Sequence, residues 1–347
     1  MSRSIFFLPA SSRKTHNFVI NVTPDHYMDL SPYIQLLRNE DVVVIPTETV
    51  YGLAGSIHAD RALMKIFEIK QRPLTNPLIV HVTDPADFSV YATAVPDEVY
   101  QLAEKFSPGP ISFVLPAAAS ISPLIRGGQT TVALRIPNHP LTLQLIRELG
   151  SPLAAPSANR YMGLSATSAA VVELAMPELK GHILDGGRCS AGLESTIFGF
   201  EAGQPVLYRM GCITQQQIEK VLGKPVLYVG DTHSDAPKAP GMQQRHYAPR
   251  TPMVLTNRLQ QTIVDLSTVR LGVLSFCQPV EHPAIVAQEV LSTGADLSEA
   301  AHRLYDALHR LDLAQADVII AEWVPNEGLG QAINDKLRRG AESILLS

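Results

Sequence analysis

VVVIPTETVYGLAGSIHADRALMKIFEIKQRPLTNPLIVHV, residues 42–82, decides the fold. The β-branched run 42–45 stops at Pro46 and reads as a buried strand. A Thr-rich turn follows, then a helix with Asp60 as its N-cap and Leu63, Ile66, Phe67 and Lys70 on one face. Pro73 and Pro77 forbid its continuation, so 78–82 reads as a second strand. Strand, helix and strand imply an α/β domain. The loop before that second strand carries Lys70, Arg72 and Asn76, and a point charge beside a planar fork is the combination that holds phosphates. A cation at a helix C-terminus is equally an ordinary complement to the helix dipole.

Outward from this stretch the alternation continues. Helices are expected over 27–39, 96–106, 140–149 (closed by Gly150), 166–175 and 214–222 (starting from Thr214). Strands are expected at ISFVLPA, at TTVALRIP from Thr130, at PLAA before the PSAN turn, at HILD, and after the Gly-rich run that ends in GLESTIFGF. Residues 231–252 carry four prolines among polar residues and read as a linker. Beyond it come strand (MVL), helix, strand (RLGVLSF), helix, an amphipathic helix over 298–311, strand (VIIAEW) and a final helix. This is the pattern of a parallel, doubly wound sheet. Residues 1–27 have no convincing periodicity and read as an extension.

At 347 residues two domains are expected, and 46% hydrophobic with 18% charged residues gives each a real core. The net charge of −5 argues against bulk attraction to nucleic acid, although a local basic cleft stays open. Cys189, Cys212 and Cys277 are scattered, with no CxxC, so neither a zinc site nor a disulfide framework is supported. IFFLPA near the start is too short for a signal core, and no apolar run nears about 18 residues, so a cytoplasmic protein without membrane contact is expected.

Walker A, GxGxxG after a strand, GxSxG and HExxH are all missing. Arg135, inside VALRIP, either points outward from an edge strand or pairs with an anion in a cleft. Ser157 and Asn159 are ordinary turn formers, but the small residues before them let a ligand approach the backbone. Glu194, Ser195 and Thr196 follow Gly192 in the same style. His302 and His309, seven apart on one helix, suit a solvated face better than a metal site, whereas His81 lies near the basic loop. Arg245, His246 and Tyr247 lie in the linker, where exposure is ordinary and a lid is the alternative.

PTETVYGL (46–53), KQRPLTNPLIVH (70–81), TVALRIPNH (131–139), APSAN (155–159) and LESTI (193–197) together resemble the YrdC-like family of threonylcarbamoyl-AMP synthases, with order and spacing kept over about residues 30 to 215. PGMQQRHYAP and EGLGQAINDKLRRGA resemble the additional C-terminal domain of the family's long form.

The resemblance implies a twisted YrdC-like α/β sheet domain with a concave cleft, plus a smaller Rossmann-like α/β domain. The expected division is an extension (1–27), a catalytic domain (28–215), a helix with a Pro-rich linker or lid (216–252) and a C-terminal domain (253–347). It implies a nucleotidyltransferase joining L-threonine, bicarbonate and ATP into threonylcarbamoyl-AMP and pyrophosphate, for threonylcarbamoyladenosine in tRNAs reading ANN codons. Lys70, Arg72, Ser157 and Asn159 would surround the phosphates; Asn76, Thr131, Ser165, Arg209 and Tyr247 would hold the rest of ATP. Thr49, His81, Arg135, Ala155 and Ser195 would line the threonine pocket. Mg²⁺ would come with ATP, without a dedicated protein metal site. Gln71 departs from the family's usual Gly, and its side chain is expected to point away from ATP. tRNA and the downstream transfer proteins are possible partners. The competing readings are an RNA-binding module of the same fold, which the acidic balance disfavours, and a regulatory protein that recruits a partner.

Overall fold

The computed structural model describes residues 28–230, 239–243 and 245–345. Nine strands form the first sheet: β1 (Val43–Ile45), β2 (Gly52–Ser56), β3 (Ile79–His81), β4 (Ile111–Pro116), β5 (Thr131–Arg135), β6 (Leu153–Ala154), β7 (Thr196–Glu201), β8 (Gln204–Arg209) and β9 (Leu227–Tyr228). Their order is β1-β2-β6-β3-β5-β4-β7-β8-β9, with parallel pairs at β3–β5, β4–β7 and β8–β9. The sheet is a mixed, curled α/β sheet. Its convex side buries Val80, Phe113, Leu134 and Phe198 beneath the helices, and phenylalanine edges meet faces along that core.

Period-two alternation sends the other residues to the concave side. His81 pairs directly with Arg135 across β3 and β5, so the two side chains share that face with Ala133 and Thr131. The anion-site loop is aimed at the same cleft by helix Asp60–Lys70, which buries Ala62, Leu63, Ile66, Phe67 and Lys70. Asp60 is the first residue inside this helix, not its cap: the N-cap is Ala59, and the Asp60 carboxylate accepts from Ser122 Oγ. Gln71 closes the helix in the left-handed region at φ 55° and is exposed. A side chain there is strained and glycine is not. Gln71→Gly is therefore expected to stabilise the protein by about 1 kcal/mol, read by denaturant unfolding.

The second sheet is all parallel: β10 (Met253–Thr256), β11 (Leu271–Ser275), β12 (Ile285–Val290), β13 (Val318–Glu322) and β14 (Ser343–Leu345), in the order β12-β11-β13-β10-β14. Strands β2, β8 and β9 are additions to the sequence reading, and three further elements depart from it. A strand, β12, occupies the place expected of a helix after β11, and β14 adds an edge. HILD forms one isolated bridge, Val44 to Ile183, instead of a strand. Helix Gln215–Leu222, grouped with the linker from sequence, buries Ile218 in the first core and starts from a Thr214–Gln217 capping box.

The two sheet units lock together along helix Leu297–Leu313. Thr167 donates to the Asp306 carboxylate, Arg188 pairs with it, and the His302 and His309 rings reach the carbonyls of Ser190 and Ser165. These histidines bind the first domain and do not lie on a solvated face.

Candidate active site

Where the linker returns, the concave face narrows to a partly open cavity of about 50 Å³, well below the roughly 300–1,000 Å³ common for small-molecule sites. Thr49, Arg72, His81, Arg135, Ala155, Ser157, Ser195, Arg209 and Tyr247 line it, so nine of the expected site residues converge. His246 lines it too, and both His246 and Tyr247 are buried, not exposed as linker residues usually are.

Arg135 settles between its two readings. It is 4% exposed, and its Nη2 lies 3.0 Å from Thr49 Oγ1 and 2.8 Å from Glu48 Oε1. The second contact has ion-pair distance without hydrogen-bond direction, since Glu48 Oε1 has no hydrogen-bond partner, whereas Oε2 accepts from Asn138 N. Thr49 shares a 2.8 Å hydrogen bond with Thr47, and Ser195 shares one with Ser112. The Arg135 guanidinium thus meets one hydroxyl, Thr49, and one carboxylate, Glu48, while the Ser195 hydroxyl lies between Ser112 and Arg209.

Two further arginines line the same cavity. Arg72 donates to Asn76 Oδ1 and to the carbonyls of Asn76 and Pro77, all neutral acceptors, and burial lowers its pKa to about 10. Arg209 is held by the Ser195 carbonyl and Oγ at 3.0 Å each. Burial, then Arg72, Lys70, Arg209 and Lys336, push the His246 pKa well below its ordinary value. The field here favours an anion.

Other expected residues stand behind the cavity wall. Lys70 is 1% exposed and donates to Ser157 O, Asn159 O and Asn159 Oδ1 at 2.6, 2.6 and 3.1 Å. Asn159 Oδ1 also accepts from Ser157 Oγ, while its Nδ2 donates to Gly163 O. The lysine and asparagine thus shape the PSAN turn that presents Ser157. Burial without a carboxylate partner holds the Lys70 pKa well below the usual lysine range, and Arg72 and Arg160 add to the effect. Asn76 supports Arg72, and Ser165 donates to Glu194 at 2.6 Å. Thr131 begins β5 four residues from Arg135, about 13 Å along the strand on the same face. Ala239 and Met242 of the linker join Ile79, Ala133 and Tyr208 in one apolar cluster on this concave side.

Sequence reasoning missed Glu48, Ser112 and Tyr305 as site residues. Glu48 had a signal, because a buried arginine needs a countercharge. Tyr305 had none: it comes from the second domain, and its hydroxyl donates to both Glu194 oxygens, at 3.0 and 2.8 Å.

Burial, with Arg135 next, lowers the His81 pKa to about 3, so the ring is neutral at physiological pH. In the unfolded chain its pKa is about 6.5. Between pH 6.5 and 3 the unfolded state therefore binds a proton that the folded state does not. This contribution is fully present above pH 6.5 and is lost as pH falls toward 3, by at most about 1.4 kcal/mol per unit. His246 acts in the same direction. His81→Gln is expected to flatten the fall in unfolding free energy over that window, measured by urea titration at several pH values.

Comparison with known proteins gives two family matches: residues 35–211 to the Sua5, YciO and YrdC model described as telomere recombination, and residues 213–342 to the threonylcarbamoyl-AMP synthase C-terminal domain. A threonylcarbamoyl-AMP synthase of Bacillus subtilis is 39% identical over 344 residues, covering 94% of this chain and 98% of its own. One from Pyrococcus abyssi is 36% identical, with 88% and 92% covered. The crystal structure of P. abyssi Sua5 complexed with L-threonine superposes with a TM-score of 0.84 at 34% identity, over 90% of this chain and 94% of that one.

Proposed function

Because the chain belongs to the threonylcarbamoyl-AMP synthase family, in the form that carries the additional C-terminal domain, we propose the following division of labour in its cleft. The activity is that of a nucleotidyltransferase making threonylcarbamoyl-AMP from L-threonine, bicarbonate and ATP, for threonylcarbamoyladenosine in tRNA. One observation carries the assignment of residues: three buried arginines line a single cavity, Arg135 held by Thr49 and Glu48, and Arg72 and Arg209 held by neutral oxygens alone.

Threonine enters with its carboxylate on Arg135, displacing Glu48 from the guanidinium. Thr49, neutral His81, Ala155 and Ser195 surround the amino acid. The amine attacks the bicarbonate carbon and water leaves, giving a carbamate whose oxygen attacks the α-phosphorus of ATP, and pyrophosphate leaves in line. Both reactants are anions, so the protein's task is to neutralise charge and fix direction. Arg72 and Ser157 face the phosphates, with Lys70 and Asn159 setting the turn that carries Ser157. A phosphate beside Lys70 also supplies the negative charge its neutral oxygen partners lack. Asn76, Thr131, Ser165, Arg209 and Tyr247 are assigned to the remainder of ATP.

The linker residues between Arg135 and Thr131 leave too little room for a nucleotide, so ATP binding requires residues 239–243 and 245–247 to move aside. They then return as the cover that excludes water. Among the described residues no group of three or more His, Cys, Asp or Glu could hold a metal. The carboxylates of the cavity are engaged, Glu48 by Arg135 and Glu194 by Ser165 and Tyr305. Mg²⁺ is accordingly assigned to the phosphate oxygens and water of the incoming ATP, where it offsets their charge. No helix among the described residues is long and apolar enough to cross a membrane.

Incubation with ¹⁴C-bicarbonate, ATP and threonine tests this reading. Label is expected in an adenylate that chromatographs with threonylcarbamoyl-AMP, and Arg72→Ala should abolish it. Label incorporated equally by Arg72→Ala would remove the phosphate end of the assignment.

A further inference from the structure

The second sheet has a crevice of its own. Adjacent parallel strands β10 and β13 send the chain to opposite faces. After β10 comes helix Leu259–Asp265, whose Leu259 and Ile263 pack with Val273 and Ile320. After β13 comes helix Leu329–Gly340, whose Ile333 and Leu337 pack on the other face with Leu255 and Ile319. Two neighbouring strands that diverge in this way open a gap at their carboxyl ends, and open α/β sheets bind ligands in that gap. Here it is an open groove of about 600 Å³ just beyond Thr256, Ser275 and Glu322, with Asn257, Arg258, Gln261 and Gln278 exposed on its wall. It shares no lining residue with the catalytic cavity.

Its lining is charged and asymmetric. Glu322 is held in place because its Oε2 accepts from Phe276 N at 2.7 Å, while Oε1 has no partner among the described residues. Arg258 lines the same cavity, and among the described residues its guanidinium has no partner, Glu322 included. Asn257, Gln261 and Gln278 complete the wall with amides that both donate and accept. Opposite charges that share a cavity without pairing suit a ligand carrying both charges. A nucleotide fits less well, because the turn after β10, Thr256-Asn257-Arg258-Leu259, has no glycine to let a diphosphate approach and offers one cation.

We propose that this crevice is a second ligand site that takes a free α-amino acid, with its ammonium on Glu322, its carboxylate on Arg258 and its side chain toward the amides. The site is separate from the threonine pocket and goes beyond the synthase activity.

The test uses the full chain. Thermal-shift measurements are made with the common L-amino acids one at a time, and hits are followed by calorimetry. Threonine itself is examined in an Arg135→Ala background that removes its catalytic pocket. At least one amino acid is expected to bind, with Kd raised about tenfold or more by Arg258→Ala and by Glu322→Gln while pyrophosphate release is unchanged. Glutamine keeps an oxygen for Phe276 N, and Arg258→Ala, at an exposed position, decides the matter alone if Glu322→Gln fails to fold. The proposal is overturned if no amino acid binds, if both substitutions leave binding unchanged, or if a nucleotide and no amino acid depends on these two residues.

Discussion

Arg135→Ala is expected to lower kcat/KM for threonine by about 10³-fold, because a buried charge-assisted contact to a carboxylate is worth several kcal/mol. The same substitution leaves Glu48 buried beside hydroxyls without its guanidinium. An orphaned buried charge costs about 3–5 kcal/mol, so stability should fall together with activity. The two effects separate in the double variant Glu48→Gln/Arg135→Ala. There the orphaned charge is gone, so most of the stability should return while activity stays low. Recovery of activity in the double variant would show that Arg135 serves only to balance Glu48.

Lys70→Met should also be severe for activity, by more than about 10²-fold, but for a different reason and with a different companion effect. Removing the ammonium leaves the carbonyls of Ser157 and Asn159 without that donor, at about 1–3 kcal/mol each. It also removes a fully buried cation that has only neutral oxygen partners, which is itself unfavourable in the protein without ligand. These terms oppose each other, so the melting temperature should change much less than the turnover. Methionine fills the lysine channel but cannot hold Ser157 in position or draw a triphosphate. A large loss of stability with ordinary residual activity would make Lys70 a packing residue.

Much of the first domain was legible because strands such as β1, β5 and β6 are short apolar runs that proline soon follows, and its helices show a clear buried face, whereas β2, β8 and β9 were missed. β12 was missed for the opposite reason. IVAQEV lies at the sheet edge with only partial burial, so it lacks the apolar pattern that marks a strand. β14 is three exposed residues. HILD is apolar enough for a strand but meets β1 at one bridge only. In the site, Lys70, Arg72, Arg135 and Ser157 were visible as charges and hydroxyls at element ends. What sequence could not give was burial imposed by the second domain. His246 and Tyr247 lie in Pro-rich polar sequence, yet Tyr247 lies beneath Lys336 Nζ, 5.0 Å from its ring centroid. Arg339 reaches the carbonyls of Gly230, just before the linker, and Gln243, within it. His302 and His309 face the first domain for the same reason. Contacts between domains carry no local periodicity.

On the proposed division of labour, one cleft brings a carbamate made from threonine to the α-phosphorus of ATP. Pyrophosphate release by the intact chain, with Mg²⁺ and ATP present and threonine and bicarbonate each omitted in turn, tests it most directly. Release is expected only when both are supplied, and it should collapse in Arg135→Ala. Pyrophosphate released at the same rate without threonine would contradict the account.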